Sequence, residues 1–348
     1  MRGVVFLGDK QLELRHFPDP EPGPRQVLVQ IKASGMCGSD LHGYRRPAAS
    51  KEAIGGLPRG EFIAGHEPCG VIAGRGSAVT EDEAPIGQRV MIHHYFGCGR
   101  CKHCLTGWNQ LCLKGTKVQS GSAHGGHADY IVANVNMLVP LIDELSYEEG
   151  AAVACGTGTA YSALRRIEVS GRDTLVIMGQ GPVGVSATML AKAMGARVIA
   201  VDMTPERLAI AKEFGADITL NSKDTDVVKA VHELTHGEGA NIALDCTGRP
   251  EPRQWAVRST RTWGKTCFVG EGGDTTFDIS RDMLRRELTI FASWTFSTVI
   301  QAECAQFVAD RKLPLKSQFT HRYTTLDDAD GAYKLFDTQT TGKGVFLL

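Results

Sequence analysis

The sequence predicts an α/β protein of two domains, one β-rich and one a doubly wound parallel sheet. Three observations carry that prediction. Residues 1 to about 95 read as short strand-like runs broken by Gly and Pro, which is strand-and-turn punctuation. From Asp173 onward continuous apolar runs alternate with helical segments, as in parallel strands buried on both faces. At 348 residues the chain is too long for one ordinary core.

In chain order, Val4-Val5-Phe6 opens the first strand, and Pro18, Pro20, Pro22 and Pro24 stiffen the connection to a second over Gln26 to Ala33. The segment Tyr44 to Glu61 is polar and contains Gly and Pro; it reads as a long loop, either a closure over substrate or a variable surface excursion. Ile131-Val132-Ala133 continues the β-rich part, and an Ala/Gly-rich segment follows around Ala151 to Tyr161. The second texture then runs strand Thr174 to Met178, helix to about Met194, strand Arg197 to Val201, helix Pro205 to Phe214 and strand Ile218 to Leu220. After these come helix Thr225 to Thr235, strand Asn241 to Asp245, helix Arg253 to Ser259 and strand Lys265 to Gly270. Leu288 to Ala292 precedes a helix Thr298 to Asp310, the run Phe319 to Tyr323, a helix Leu326 to Phe336 and a last strand Gly344 to Leu347.

Composition narrows the function. A hydrophobic fraction of 42% with 22% charged residues is that of a soluble globular protein. A net charge of −1 provides no basic field for nucleic acid. No apolar run is long enough to span a membrane, and Met1-Arg2-Gly3 leads straight into strand residues without a signal-peptide core, so the expected compartment is the cytosol. In that compartment 10 cysteines are expected to bind metal or to lie inert in the core.

Four of them form the least ambiguous motif. Cys98, Cys101, Cys104 and Cys112 make two CxxC steps sharing the middle cysteine, with a fourth after a short loop. Four thiolates so spaced close a tetrahedral zinc site with no open position, which is structural. His103, inside the motif, reads as a solvated residue. A second motif is Gly179-Gln180-Gly181-Pro182-Val183-Gly184, which follows a buried strand, opens a helix and has Asp202 about twenty residues on. That context makes it a dinucleotide fingerprint. The glycines bring backbone amides to a pyrophosphate, and Asp202 accepts bonds from the ribose hydroxyls and repels the extra phosphate of NADP. NAD is therefore expected, with Arg207 as the residue that keeps NADP in play. Thr247 and Gly270 lie at the carboxyl ends of strands, where open α/β sheets bind ligands.

Other stretches stay open on their residues alone. Cys37-Gly38-Ser39-Asp40-Leu41-His42 sets thiol, hydroxyl, carboxylate and imidazole close together. It is either a turn, or a soft-metal ligand beside a hydroxyl and imidazole able to move a proton. Gly65-His66-Glu67 is either a solvated turn pair or a ligand with an adjacent carboxylate. Cys155 reads equally as core.

Taken together, GHExxGxxxxxGxxV at Gly65 to Val79, the four-cysteine lobe and the Gly179 to Gly184 fingerprint occur in one order across the chain. The sequence thereby resembles the zinc-containing alcohol dehydrogenases of the medium-chain dehydrogenase/reductase superfamily. The resemblance implies a GroES-like catalytic domain at 1–154 with a zinc lobe at 95–113, a Rossmann domain at 155–290, and a return to the catalytic domain at 291–348. It implies Cys37, His66 and Cys155 as catalytic-zinc ligands, Glu67 as a glutamate able to approach the metal, and Asp40 as the acid orienting the ligating histidine. It further implies zinc-assisted alcohol oxidation with hydride transfer to NAD, a proton path from Ser39 to His42, and a homodimer or homotetramer.

Sorbitol- and threonine-type relatives usually carry glutamate where this chain has Cys155; Glu148 and Glu149 fit non-ligand acids. Polar residues near the expected site (His93, His94, Tyr95, Asn109 and His127) either bond several substrate hydroxyls or are satisfied surface or core groups; the first reading weighs towards a polyol or sugar-derived secondary alcohol, with simple alcohols close behind, and Trp294 is expected to shape the pocket. A zinc-independent, quinone-reductase-like relative is the remaining alternative.

Overall fold

The computed structural model describes residues 1–48 and 62–348 and divides the chain into two compact units. One comprises residues 1–158, 296–339 and 343–348, the other 159–295 and 340–342. The first limit falls just beyond the sequence-derived 154 because one helical run carries the chain across it: Tyr147–Ala152, a π-helical turn Val153–Thr157, then Gly158–Arg166.

The first unit begins with strands β1 (Arg2–Gly8), β2 (Gln11–His16), β3 (Gln26–Gly35), β4 (Glu67–Arg75), β5 (Arg89–Ile92), β6 (Tyr95–Phe96), β7 (Lys117–Val118), β8 (Tyr130–Asn134) and β9 (Leu138–Pro140). The second unit supplies β10 (Thr174–Met178), β11 (Arg197–Asp202), β12 (Ile218–Asn221), β13 (Ala240–Asp245), β14 (Thr260–Phe268) and β15 (Thr289–Ala292), and the returning chain adds β16 (Phe319–Tyr323) and β17 (Lys343–Leu347).

In the first unit β3 is the hub. Val27, Val29, Ile31 and Ala33 are buried at every second position, the two-residue period of a strand with one core face. One edge of β3 pairs with β4. The other is shared, β8 taking Gln26 to Gln30 and β17 taking Ala33 to Gly35. These pairings set Glu67 of β4 and Val345 of β17 on either side of Gly35, which brings the first and last parts of the chain together at one spot. The short helix Asp40–Arg45 buries Leu41 and Tyr44 with Met36, Tyr333 and Phe346. Tyr44 is therefore a core residue on a helix and not the start of a loop; residues 49–61 of the expected 44–61 loop lie outside the described residues.

The second unit is a six-stranded parallel sheet in the order β12-β11-β10-β13-β14-β15. Leu175 to Met178 are all buried, as the unbroken apolar run requires. The strand order reverses between β10 and β13, the switch point at which such sheets bind dinucleotides. Among the described residues no helix is long and apolar enough to cross a membrane.

Candidate functional site: a buried Cys-His-Cys cluster and a dinucleotide loop

Cys37, His66, Glu67 and Cys155 are all buried, and their potential ligand atoms lie within 4.8 Å of one another. Different local devices deliver them. Cys37 follows β3, and Ser39 caps the helix Asp40–Arg45 without spending its hydroxyl on the cap. His66 and Glu67 stand at the entry to β4. Cys155 sits in the π-helical turn, an irregularity that often marks functional positions in helices.

Asp40 ties two of these groups together. Its Oδ2 accepts from the backbone N–H of Cys37 at 2.8 Å, and its Oδ1 accepts from His66 Nδ1 at 2.8 Å. With Nδ1 donating to the carboxylate, Nε2 is the nitrogen left for a metal. Ser39 Oγ lies 3.2 Å from that Nε2, and the Cys37 and Cys155 sulfurs are 3.8 Å apart.

Charge follows geometry. Cys37 is held well below the usual thiol range, first by the Cys155 thiol donating to it and then by His66, against burial; the same contact, with burial, pushes Cys155 up. Burial lowers His66, but Asp40 and Cys37 outweigh it and raise the imidazole well above its ordinary value. A thiolate with an oriented imidazole and a second thiol is a donor set suited to zinc with an open fourth position.

Behind the cluster is a buried ion pair. Lys343 of β17 donates from Nζ to Glu67 Oε2, with Lys343 1% and Glu67 0% exposed. Glu67 fits because residue 35 is glycine; a Cβ there would stand 2.1 Å from Glu67 Oε2. Burial pushes Glu67 up to about 8 while the Lys343 charge pulls it down.

In the lobe, the sulfurs of Cys98, Cys101, Cys104 and Cys112 likewise fall within 4.8 Å of one another. The backbone N–H groups of Cys104 and Leu113 hold Cys101 down, to about 6, and Cys112 Sγ accepts from the N–H of Cys98 and Lys114 at 3.3 and 3.4 Å. Sulfurs at this spacing with backbone N–H groups aimed at them suit a four-sulfur zinc site. His103 stays out of the cluster and donates from Nδ1 to the Leu111 carbonyl.

The second unit carries the dinucleotide loop. Gly179 has φ +86°, and a Cβ on Gly184 would meet Gly179 O at 1.8 Å, so the turn packs its own helix too closely for a side chain. A Cβ on Gly181 would meet nothing within 4 Å, leaving open space before the helix Pro182–Ala193, the kind of helix N-terminus that can take an anion. Asp202 Oδ2 accepts from Gln180 N at 2.6 Å, and Oδ1 accepts from Met203 N and Thr204 N at 2.8 and 2.9 Å. Of roughly four lone-pair positions on a carboxylate, about one remains open. Burial lowers Arg207 against the pull of Asp202.

Known proteins fit this geometry. Residues 23–143 match the family model described as the alcohol dehydrogenase GroES-like domain, and residues 182–311 that of the zinc-binding dehydrogenase. An uncharacterized zinc-type alcohol dehydrogenase-like protein of Escherichia coli (strain K12) is 41% identical over 99% of this chain and 98% of its own length.

The chain belongs to the zinc-type alcohol dehydrogenase family.

An L-idonate 5-dehydrogenase of Vitis vinifera is 32% identical over 92% of this chain and 86% of its own length. The solved structure of the alcohol dehydrogenase TADH from Thermus sp. ATN1 superposes with a TM-score of 0.89 at 25% identity, covering 100% of this chain and 99% of that one. The comparisons bear out the α/β fold with a GroES-like domain and a parallel-sheet Rossmann domain.

Within this family member the polar residues expected around the site separate. His94 faces the cluster, its ring 5.0 Å from that of His66, and its Nδ1 donates to the Ala154 carbonyl at 3.1 Å. His93 packs on Phe296 with ring centroids 5.4 Å apart, and Phe296 is fully buried whereas Trp294 is 40% exposed. His127 is not a site residue: it is fully buried between Ser34 Oγ at 2.8 Å and Tyr333 OH at 2.7 Å. Glu149 completes a capping box with Ser146, and Glu148 pairs with Arg322 at 2.7 Å. His42 is exposed. Its backbone N–H donates to the Ser39 carbonyl at 3.1 Å, while the Ser39 hydroxyl points to His66 instead.

Sequence reasoning missed Lys343. A lone lysine opening a final strand looks like a solvated end, and only the β17–β3–β4 pairing shows that it meets Glu67.

Proposed function

We propose that this chain oxidises a secondary alcohol of a polyol or sugar-derived substrate, passing hydride to NAD. The observation that carries the reading is the buried Cys37–His66–Cys155 cluster with the Ser39 hydroxyl at its edge. Cys37, His66 and Cys155 would hold a zinc ion, whose Lewis acidity lowers the pKa of an alcohol oxygen. Residues 179–184 and Asp202 would hold NAD, which accepts the hydride; Cys98, Cys101, Cys104 and Cys112 would hold a second, structural zinc. This donor set argues against a zinc-independent, quinone-reductase-like activity.

Asp40 fixes the histidine tautomer and the Cys37 backbone at once, so two ligands share one support. Ser39 swings its hydroxyl from His66 to the substrate hydroxyl, accepting that proton on Oγ as it gives up its own towards His42. His42, one turn along the same helix and exposed, hands it to solvent. Asp202 favours NAD over NADP by its charge. His94 beside the cluster suits a substrate with more than one hydroxyl, in keeping with the L-idonate-oxidising relative; a simple primary or secondary alcohol is the second reading. Glu67, if released by Lys343, would offer its carboxylate to the metal site. A second copy of the chain is the proposed partner, meeting it along the β15 edge, where Ile290 is 39% and neighbouring Trp263 71% exposed.

A screen for NAD reduction across polyols, sugars and simple alcohols, repeated with NADP, tests the reading. Turnover only with simple alcohols would replace the polyol assignment, and no turnover with any alcohol would remove the activity.

A further inference from the structure

Asp245 ends β13 and is fully buried. Its Oδ1 accepts from Thr247 N at 2.9 Å and Thr247 Oγ1 at 2.6 Å, and its Oδ2 accepts from Gly248 N at 3.2 Å. Its backbone carbonyl accepts from Val269 N and Gly270 N at 2.9 and 3.0 Å. Arg253, near the start of the helix Pro250–Ser259, brings Nε to 3.5 Å from Asp245 Oδ2. The same guanidinium donates from Nη2 to Gly270 O at 2.8 Å and from Nη1 to Gly273 O. A buried carboxylate and one planar cation thus clamp two loops, 246–249 and 269–273, to each other. The loops already touch: a Cβ on Gly270 would lie 2.1 Å from Gly248 N, and one on Gly248 would lie 2.2 Å from Glu271 O. Charge-assisted bonds from a planar fork give direction as well as energy.

The strand order says which part of a cofactor these loops meet. The fingerprint after β10 and Asp202 at the end of β11 take the pyrophosphate and the adenosine ribose. A dinucleotide lying across the switch point extends its other half over the carboxyl ends of β13 and β14, which are the two clamped loops.

We infer that Asp245 and Arg253 are a positioning pair that holds loops 246–249 and 269–273 as one preformed rim for the nicotinamide-ribose half of the cofactor. The inference rests on the proposed use of a nicotinamide dinucleotide. Neither residue need touch the cofactor; preorganisation lowers the ordering cost of binding.

The test compares binding of NADH, followed by its fluorescence, with binding of ADP, followed by calorimetry, in the full-length protein. ADP engages only the fingerprint and Asp202. Arg253→Met keeps the aliphatic stem and removes the donors; it should weaken NADH by about tenfold and leave ADP within about twofold. Arg253→Lys, which keeps the charge beside Asp245 but not the fork, should fall between. NADH affinity unchanged in Arg253→Met overturns the inference. So does a parallel loss of NADH and ADP in the lysine variant, which marks a role in sheet stability alone. If the unaltered protein binds neither ligand, the dinucleotide reading itself fails, a result distinct from both.

Discussion

Replacing Lys343 with methionine tests how the buried pair behind the metal cluster is held. Lys343→Met keeps the length of the stem and deletes the charge, stranding Glu67, which is 0% exposed and whose Oε1 already lacks a hydrogen-bond partner. Breaking a buried ion pair from one side costs about 3–5 kcal/mol. The lower end applies here, since burial already pushes the Glu67 carboxyl up to about 8 and protonation offers it a cheaper state than a lone buried charge. The expected loss is about 3 kcal/mol, or a Tm lowered by roughly 6–10 °C. The sign with pH follows from the raised value. The folded state holds a proton that the unfolded carboxylate releases above about 4.5. The value of about 8 holds with Lys343 pulling it down; without that charge the folded carboxyl keeps its proton to higher pH, so the deficit grows as pH rises through and beyond 8. Adding Glu67→Gln should return stability to within about 1 kcal/mol of the unaltered protein, because a neutral amide needs no counterion. Urea and thermal unfolding of zinc-loaded protein at pH 6 and pH 8 give these values. A single variant less than about 1 kcal/mol destabilised, or a double variant no better than the single one, would refute the reasoning.

Other consequences are as direct. His42→Ala should slow alcohol oxidation mainly at lower pH, with partial rescue by added base; an unchanged pH–rate profile removes His42 from the proton path. Asp202→Asn should reduce the proposed preference for NAD over NADP, read as the ratio of kcat/KM values, since the charge proposed to exclude the extra phosphate is gone; an unaltered ratio would move discrimination elsewhere. Asp337 is pushed up by burial but pulled lower overall by Lys10 and Arg45, with the Arg45 Nε 2.5 Å away. Its pairing therefore contributes stability above the ordinary carboxylate range, and that stability is lost as pH falls through the depressed value. Asp337→Asn should flatten acid unfolding below the ordinary carboxylate range, and an unchanged acid transition would show the pair to be screened.

What the sequence made legible is what local spacing encodes. Apolar runs and helical periodicity placed the parallel sheet, and the helix Thr298–Asp310 falls where its periodicity put it. The four lobe cysteines lie within fourteen positions of one another, so spacing alone gathers them. Cys37, His66 and Cys155 are separated by long stretches of chain, and only the pairing of β3 with β4 and the π-helical turn bring them together; family resemblance supplied that step. Lys343 and Arg253 were opaque for the same reason. Each is an ordinary basic residue whose partner, Glu67 or the Gly270 and Gly273 carbonyls, is set by strand order. His127 could be read from the sequence either as a hydroxyl-binding group or as a satisfied core group, and it is the latter, an imidazole that Ser34 and Tyr333 satisfy inside the core.

Zinc content per chain tests the central claim most directly when measured on the unaltered protein and on Cys155→Ala. The unaltered protein should hold about two zinc ions per chain, and Cys155→Ala about one, kept in the four-cysteine lobe, with NAD reduction by alcohols abolished. A Cys155→Ala protein that keeps about two zinc ions, or an unaltered protein that holds zinc only in the lobe, would contradict a catalytic zinc on Cys37, His66 and Cys155.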